Sequence, residues 1–183
     1  MSKFLKTFLI LAFFAFVFFL SLRKITDYDI WMHLKTGERI LAERSLPKID
    51  LYSYTMPGAY WANIHWLFQV IVYPLYQKFG AVGIIILKAL VITLSFFVLF
   101  KIGYTRKSWF VSLASLFLVA LVAKDRFMER PEFFSYLFLS IYLYIICKHR
   151  RKKTKFIWLL PILQVFWTNI HVFSFGGIAV IFI

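Results

Sequence analysis

Five stretches of the chain are almost bare of polar side chains: 7–22, 83–102, 109–123, 131–147 and 156–172. A helix that crosses a bilayer takes roughly 20 mostly apolar residues, and fewer where charged flanks reach the headgroups. Each stretch therefore predicts a transmembrane helix. Another apolar run starts near Phe175 and at Ile183 is still about ten residues short of a full crossing, so the sequence reads as the N-terminal part of a longer protein. The first run has a long core and is followed by "SLRKITDYD", which is polar and bulky and offers no small-x-small cleavage site. It reads as a retained anchor rather than a signal peptide. The expected fold is all-α: a polytopic integral membrane protein of about five to six transmembrane helices, with a large outer loop over 23–82.

Within that loop the period changes. "DIWMHLKTGERILAER" places Ile30, Trp31, Leu34, Ile40 and Leu41 at helical spacing, with Asp29 or Asp27 as N-cap and Pro47 beyond its end. "YSYTMPGAYW" sets Pro57-Gly58 between alternating aromatic and small residues, which predicts a turn. "HWLFQVIVYPLYQKF" at 65–79 is short for a crossing and contains Gln69, Pro74 and Gln77. Its aromatic ends and interior polar groups suit a helix lying in the outer interface.

Composition supports a bilayer as solvent. Of 183 residues 62% are hydrophobic, 23 are Phe, and the mean hydropathy is +0.77, more apolar surface than a soluble domain of this size hides. Cys147 is the only cysteine, which excludes an internal disulfide framework and a thiolate metal site. A net charge of +14 would suit nucleic acid, but the charges are sorted by side. "KHRRKKTK" at 148–155 is the densest basic run, and short basic loops stay cytoplasmic. With that loop inside and 65–79 not crossing, Lys3, Lys6, Arg106 and Lys107 also fall inside. Asp27, Asp29, Glu38, Glu43, Asp50, Asp125, Glu129 and Glu132 all fall outside. The expectation is a multi-pass protein of the plasma (inner) membrane with a cytoplasmic N-terminus, whose basic charge meets lipid and not nucleic acid.

Three outer segments carry candidate chemistry. Asp27, Asp29 and His33 open the large loop, with Asp29 and His33 on one side of a helix beginning there. Lys124, Asp125, Arg126, Glu129 and Arg130 share the short hairpin "AKDRFMERPE". Asn169 and His171 end the fifth apolar run in "WTNIH". Each has a structural reading: an Asp before a helix as a cap, mixed charges in a hairpin as a solvated ion-pair cluster, His171 and Asn169 as partners of helix-end backbone. His65 and Trp66 fit an aromatic belt, and Lys88 fits a snorkelling lysine. What raises the functional reading is that ionisable groups from three distant segments lie at one membrane depth.

In order and spacing, "DYDIWMHLKTGERIL", "LPKIDLYSYTMPGAYWANIHWLFQ", "RPEFFSY" and "WTNIH" resemble bacterial membrane proteins of the GT-C glycosyltransferase superfamily, which are similar to dolichyl-phosphate-mannose protein mannosyltransferases. The resemblance covers about 24 to 172. Asp29-Ile30-Trp31 also resembles the D-x-W pattern of oligosaccharyltransferase catalytic subunits. The departure is at His171: the family continues His-Gly-Gly, whereas here Val172-Phe173 follow and the glycines come at 176–177. The resemblance implies a transferase that takes a sugar from a polyprenyl-phosphate-linked donor at the outer face, with an essential Asp shortly after the first span.

The residue types suit that chemistry. An acceptor hydroxyl attacking an anomeric carbon becomes acidic in the transition state, so a carboxylate within hydrogen-bond reach serves as base. Asp29 is the expected base and Asp27 its fallback. Arg126 and Arg130, four apart, would share a face if the hairpin holds a helical turn, with Asp125 and Glu129 orienting them to grip the leaving phosphate. His33, Lys124, Asn169 and His171 complete the expected substrate-binding set. No cofactor is required; a divalent metal on the carboxylates is compatible with the residues but not demanded. The alternatives are a transporter or channel component, with Lys88 and the carboxylates along a pathway, and an inactive truncated membrane protein.

Overall fold

A computed structural model gives the fold and describes residues 2–182. Among these the chain is all-α, with seven α-helices and no β-strand beyond one isolated bridge, Ile49 with Tyr60. The helices are α1 (Lys3–Ser21), α2 (Asp29–Glu43), α3 (Trp66–Gly103), α4 (Trp109–Ala123), α5 (Glu132–Lys152), α6 (Leu159–Ile170) and α7 (Phe175–Ile181). Two of them, α1 and α3, are long and apolar enough to cross a membrane. The others are shorter or more polar than that. α4 has 15 residues and α6 has 12, because residues Lys155–Trp158 wind as a 3₁₀ turn before it; α5 has 21 but ends in His149, Arg150, Arg151 and Lys152.

α3 is the spine, and it is broken. Gly80 takes φ 62° and ψ −157° inside it, a conformation open to glycine and costly for any other residue. The segment 66–79 is therefore a separate rod, distinct from the apolar helix that follows. Pro74 within it removes the backbone bond that would run to Val70. α2 lies on this rod so closely that a Cβ on Gly37 would meet the Gln69 carbonyl and come within 2.9 Å of Tyr73 Cβ. α2 stops at Arg44 in the left-handed region (φ 51°), with Pro47 just beyond. In the following loop Gly58 makes the expected turn at φ 79°, donating to the Asp50 carbonyl at 2.8 Å.

A continuous aromatic core ties these pieces together. Phe13 of α1 meets Phe96 of α3, Phe68 meets Phe133 of α5, and Trp167 of α6 stacks on Phe138 with centroids 5.6 Å apart. Such pairs add about 0.5–1.5 kcal/mol each beyond their burial. The helices run alternately, so the bundle has a basic end and an acidic end. At the basic end Lys6 donates to Tyr104 Oη at 3.0 Å and lies over the Trp109 ring, while Lys101, Lys148, Arg151 and Lys152 line one small pocket. At the other end Arg23, just past α1, pairs with Asp125 at 2.9 Å.

Candidate functional site

The acidic end is built from the link after α1, the 124–131 hairpin, and the ends of α2, α3 and α6. Asp27 is buried and accepts the backbone N–H of Asp29 at 3.1 Å, an Asx-type bend that turns the chain into α2. The N-cap position itself is Tyr28, with no side-chain cap. Across from it Arg130 grips Asp27 with a fork: Nε donates to Oδ2 and Nη2 to Oδ1 at 3.2 Å. The same Nη2 lies 3.5 Å from Asp29 Oδ2. Asp29 is the open partner, its side chain 62% exposed against 4% for Asp27.

The two aspartates thus take different parts. Burial alone would raise the Asp27 pKa, but the Arg130 hydrogen bond, the Asp29 N–H and the charges of Arg130 and His33 together hold it below the ordinary range. The carboxylate stays ionised, and the stability it adds above the ordinary Asp range is lost as pH falls through the lowered value. Asp27 anchors Arg130, which leaves Asp29 as the carboxylate open to a ligand.

The hairpin differs from its expected geometry. Residues Lys124–Arg126 form a 3₁₀ turn, and the chain then bends at Glu129 and Arg130 before Pro131, where the residue preceding the proline is steered away from the helical region. Arg126 and Arg130 therefore do not share a helical face, and Asp125 and Glu129 do not orient them. Asp125 pairs with Arg23. Glu129 turns inward to Lys88 at 2.5 Å, and this pair is sealed, with 1% and 0% exposure. Lys88 Nζ also reaches the Arg23 carbonyl at 3.4 Å, and Glu129 accepts from the Thr26 N–H at 3.5 Å. Lys88 does not snorkel; it finds its counter-charge inside. Arg126 instead lines, with Glu132 and Tyr136, the polar end of a cleft of about 490 Å³ whose other walls include Phe96, Val119 and Leu139. The Lys124 side chain is exposed and makes no ion pair among the described residues; its carbonyl accepts from Arg23 at 3.1 Å.

His33 and His171 are brought together by a residue that sequence reasoning assigned to an aromatic belt. His65 stands between them, its ring centroid 5.6 Å from His33 and 5.7 Å from His171. Gln69, held by a reciprocal amide pair with Asn63, faces His33 Nδ1 at 3.2 Å. Burial, with the nearby histidine His65, pushes the His33 pKa down to about 4, so the ring is neutral at neutral pH. Protonating it costs stability as pH falls from 6.5 toward that value. Ser135 Oγ accepts from Trp167 Nε1 at 2.8 Å and meets His171 Nδ1 at 2.8 Å. Asn169 accepts from Trp66 Nε1 at 2.7 Å. The signal in the sequence was "NIHW" recurring in kind as "TNIH", a polar pair at two helix ends that meet.

Among the described residues no three His, Cys, Asp or Glu side chains are arranged to hold a metal ion. In comparisons with known proteins no family model, curated protein or solved structure matches the chain. Function is therefore argued from the site itself.

Proposed function

We propose that the chain belongs to a GT-C-type membrane glycosyltransferase that moves a sugar from a polyprenyl-phosphate donor to an acceptor at the outer face of the plasma membrane. The observation that carries this reading is the exposed Asp29 carboxylate beside an arginine whose orientation is fixed by a buried aspartate. A base and a phosphate-binding fork then stand next to each other at the acidic end. In this reading Asp29 takes the acceptor hydroxyl's proton as that oxygen attacks the anomeric carbon. Arg130 stabilises the negative charge left on the phosphate. The cleft under Arg126 supplies an apolar trough for the first prenyl units, and Arg126 a second contact to the phosphate. A lipid-borne donor accounts for a site at the end of an apolar bundle.

Transport has one observation on its side, the buried Lys88–Glu129 pair, since intramembrane charges often mark pathways. Both groups, however, are sealed and bonded to backbone. They fit a structural tie better than a carrier site.

The reading is tested by donor binding. With full-length protein in detergent and a polyprenyl-phosphate sugar, Arg130→Lys and Arg126→Lys each keep the charge but lose the planar fork. Affinity falls roughly ten- to a hundredfold, the worth of a charge-assisted contact. Unchanged binding in both variants removes the phosphate site and with it the transferase mechanism.

The same reading fixes orientation: the acidic end outside, the basic end in the cytoplasm. Single cysteines placed at Tyr52–Gly58 and Lys124–Glu129 then react with a membrane-impermeant maleimide on intact cells, and those at Arg150–Lys153 do not. Labelling at 150–153 and not at 125 reverses the orientation and removes the site from the outer face.

A further inference from the structure

We infer that the pocket between the C-terminal ends of α3 and α5 seats the phosphate of an anionic glycerophospholipid from the cytoplasmic leaflet. On α5, Tyr144, Cys147, Lys148, Arg151 and Lys152 recur at the i, i+3, i+4, i+7, i+8 spacing that sets residues along one stripe of a helix. Lys101, in the last turn of α3, faces that stripe from the other helix. Together they line a cavity of about 190 Å³. Pockets that enclose a whole organic ligand run to roughly 300–1,000 Å³, so this one takes a headgroup and not an entire molecule.

Four cations share this small space with no carboxylate among them. The acidic residues all lie within 27–50 and 125–132, and no ion pair among the described residues uses Lys101, Lys148, Arg151 or Lys152. The lysines meet rings instead. Lys148 Nζ stands 4.4 Å from the Phe156 centroid and 5.5 Å from that of Tyr144, and Lys101 Nζ 5.7 Å from that of Phe97. A ring face attracts an ammonium without neutralising it. Cations held together repel, and an anion seated among them relieves that. Phosphate suits the set: Arg151 supplies a planar fork for two oxygens, and the lysines supply point charges. The neighbourhood selects a lipid over free phosphate. The apolar cleft between the same two helices reaches Leu99 and Leu143, two residues before Lys101 and one before Tyr144. A phosphate in the basic pocket therefore has an apolar wall beside it for the first methylenes of its chains. Basic pockets at the cytoplasmic ends of membrane helices suit anionic headgroups in this way. Helix-dipole complementarity and cytoplasmic retention also call for positive charge here, but not for a shared cavity: Arg106, Lys107, Arg150 and Lys153 answer those needs without lining this pocket. The assignment rests on the membrane orientation proposed above and not on the transferase chemistry.

Native mass spectrometry of the full-length protein, released from detergent in the presence of defined lipid, counts the bound molecules and gives their affinity. Phosphatidylglycerol binds in preference to zwitterionic phosphatidylcholine. Lys101→Gln with Arg151→Gln removes two of the four charges and lowers phosphatidylglycerol affinity about tenfold or more, the lower end for lost charge-assisted contacts. Lys107→Gln with Arg150→Gln removes the same net charge outside the pocket, and affinity stays close to wild type. All four side chains are exposed, so neither pair disturbs the core. Inorganic phosphate at the lipid's concentration does not displace it. Equal losses in the two double variants, or no loss in either, overturn the pocket, because the basic charge then acts diffusely or not at all. Equal binding of the two lipids, or displacement by inorganic phosphate, overturns the lipid assignment. Reversed maleimide labelling overturns the leaflet whatever the lipid result. Absent donor binding at Arg130 and Arg126 with this lipid pattern intact counts against the transferase reading alone.

Discussion

Lys88→Met alone destabilises the protein by about 3–5 kcal/mol, the cost of leaving one member of a buried ion pair without its partner. The effect is large because the pair is sealed: Lys88 is 0% and Glu129 1% exposed, so water does not replace the missing ammonium. The loss spreads beyond one contact. Lys88 also holds the Arg23 carbonyl, and Glu129 the Thr26 N–H, so the link after α1, the middle of α3 and the 124–131 hairpin meet on these two side chains. The double variant Lys88→Met, Glu129→Leu separates charge from packing. Its two apolar side chains fill much the same volume and leave no orphan charge, and buried pairs replaced in this way are often neutral in stability. Most of the stability returns in the double variant if the single loss is desolvated charge. Thermal unfolding of purified protein in one detergent, wild type against both variants, reads the difference. A single variant within about 0.5 kcal/mol of wild type, the range of ordinary surface substitutions, would show that water reaches the pair and that it ties nothing.

This pair also marks where the sequence stops being legible. Helix limits follow the apolar runs closely: α4 occupies the same residues as the run at 109–123, and α2 forms where Ile30, Leu34 and Ile40 repeat on one face, all three buried. Local periodicity and punctuation decide such things, and both are written along the chain. Partnership across the fold is not. Lys88 and Glu129 are 41 residues apart, and a lone lysine in an apolar run reads equally as snorkelling to the surface or as waiting for a counter-charge. The hairpin went astray for a nearer reason. An i, i+4 spacing predicts a shared face only on a helix, and the helical turn here stops at Arg126, ahead of bends at Glu129 and Arg130. Glu129 then faces inward to Lys88 and Arg130 outward to Asp27. His65 was missed because a histidine next to a tryptophan at a helix start has an ordinary interfacial explanation. Its place between His33 and His171 depends on α2, α3 and α6 ending together, which no spacing along the chain encodes. What sequence order did convey is the convergence of the three segments, since alternating helices bring every second link to the same end.

Asp29→Asn lowers sugar transfer by about 100-fold or more, the lower part of what a general base contributes, while folding and donor affinity stay close to wild type. The structure separates these effects. Asp29 is not the acceptor that starts α2: its own N–H is received by Asp27, and its carboxylate is 62% exposed. Removing the charge from the first turn costs at most about 1 kcal/mol through the helix dipole. The amide keeps the side chain's size and leaves Arg130 bound to Asp27, so what goes is the basicity and the outer 3.5 Å ion pair to Arg130. Asp27→Asn is the contrasting variant. It leaves the Arg130 fork facing a neutral amide in a buried position, so stability and donor binding fall together with transfer, and a drop in kcat alone is not expected there. Initial rates with saturating donor, beside binding and unfolding measurements on the same preparations of full-length protein, distinguish the two aspartates. Wild-type rates from Asp29→Asn would take the base away from the one carboxylate the site leaves open. Asp27 would not inherit the role, because its carboxylate is 4% exposed and the Arg130 fork that holds it also makes it less basic.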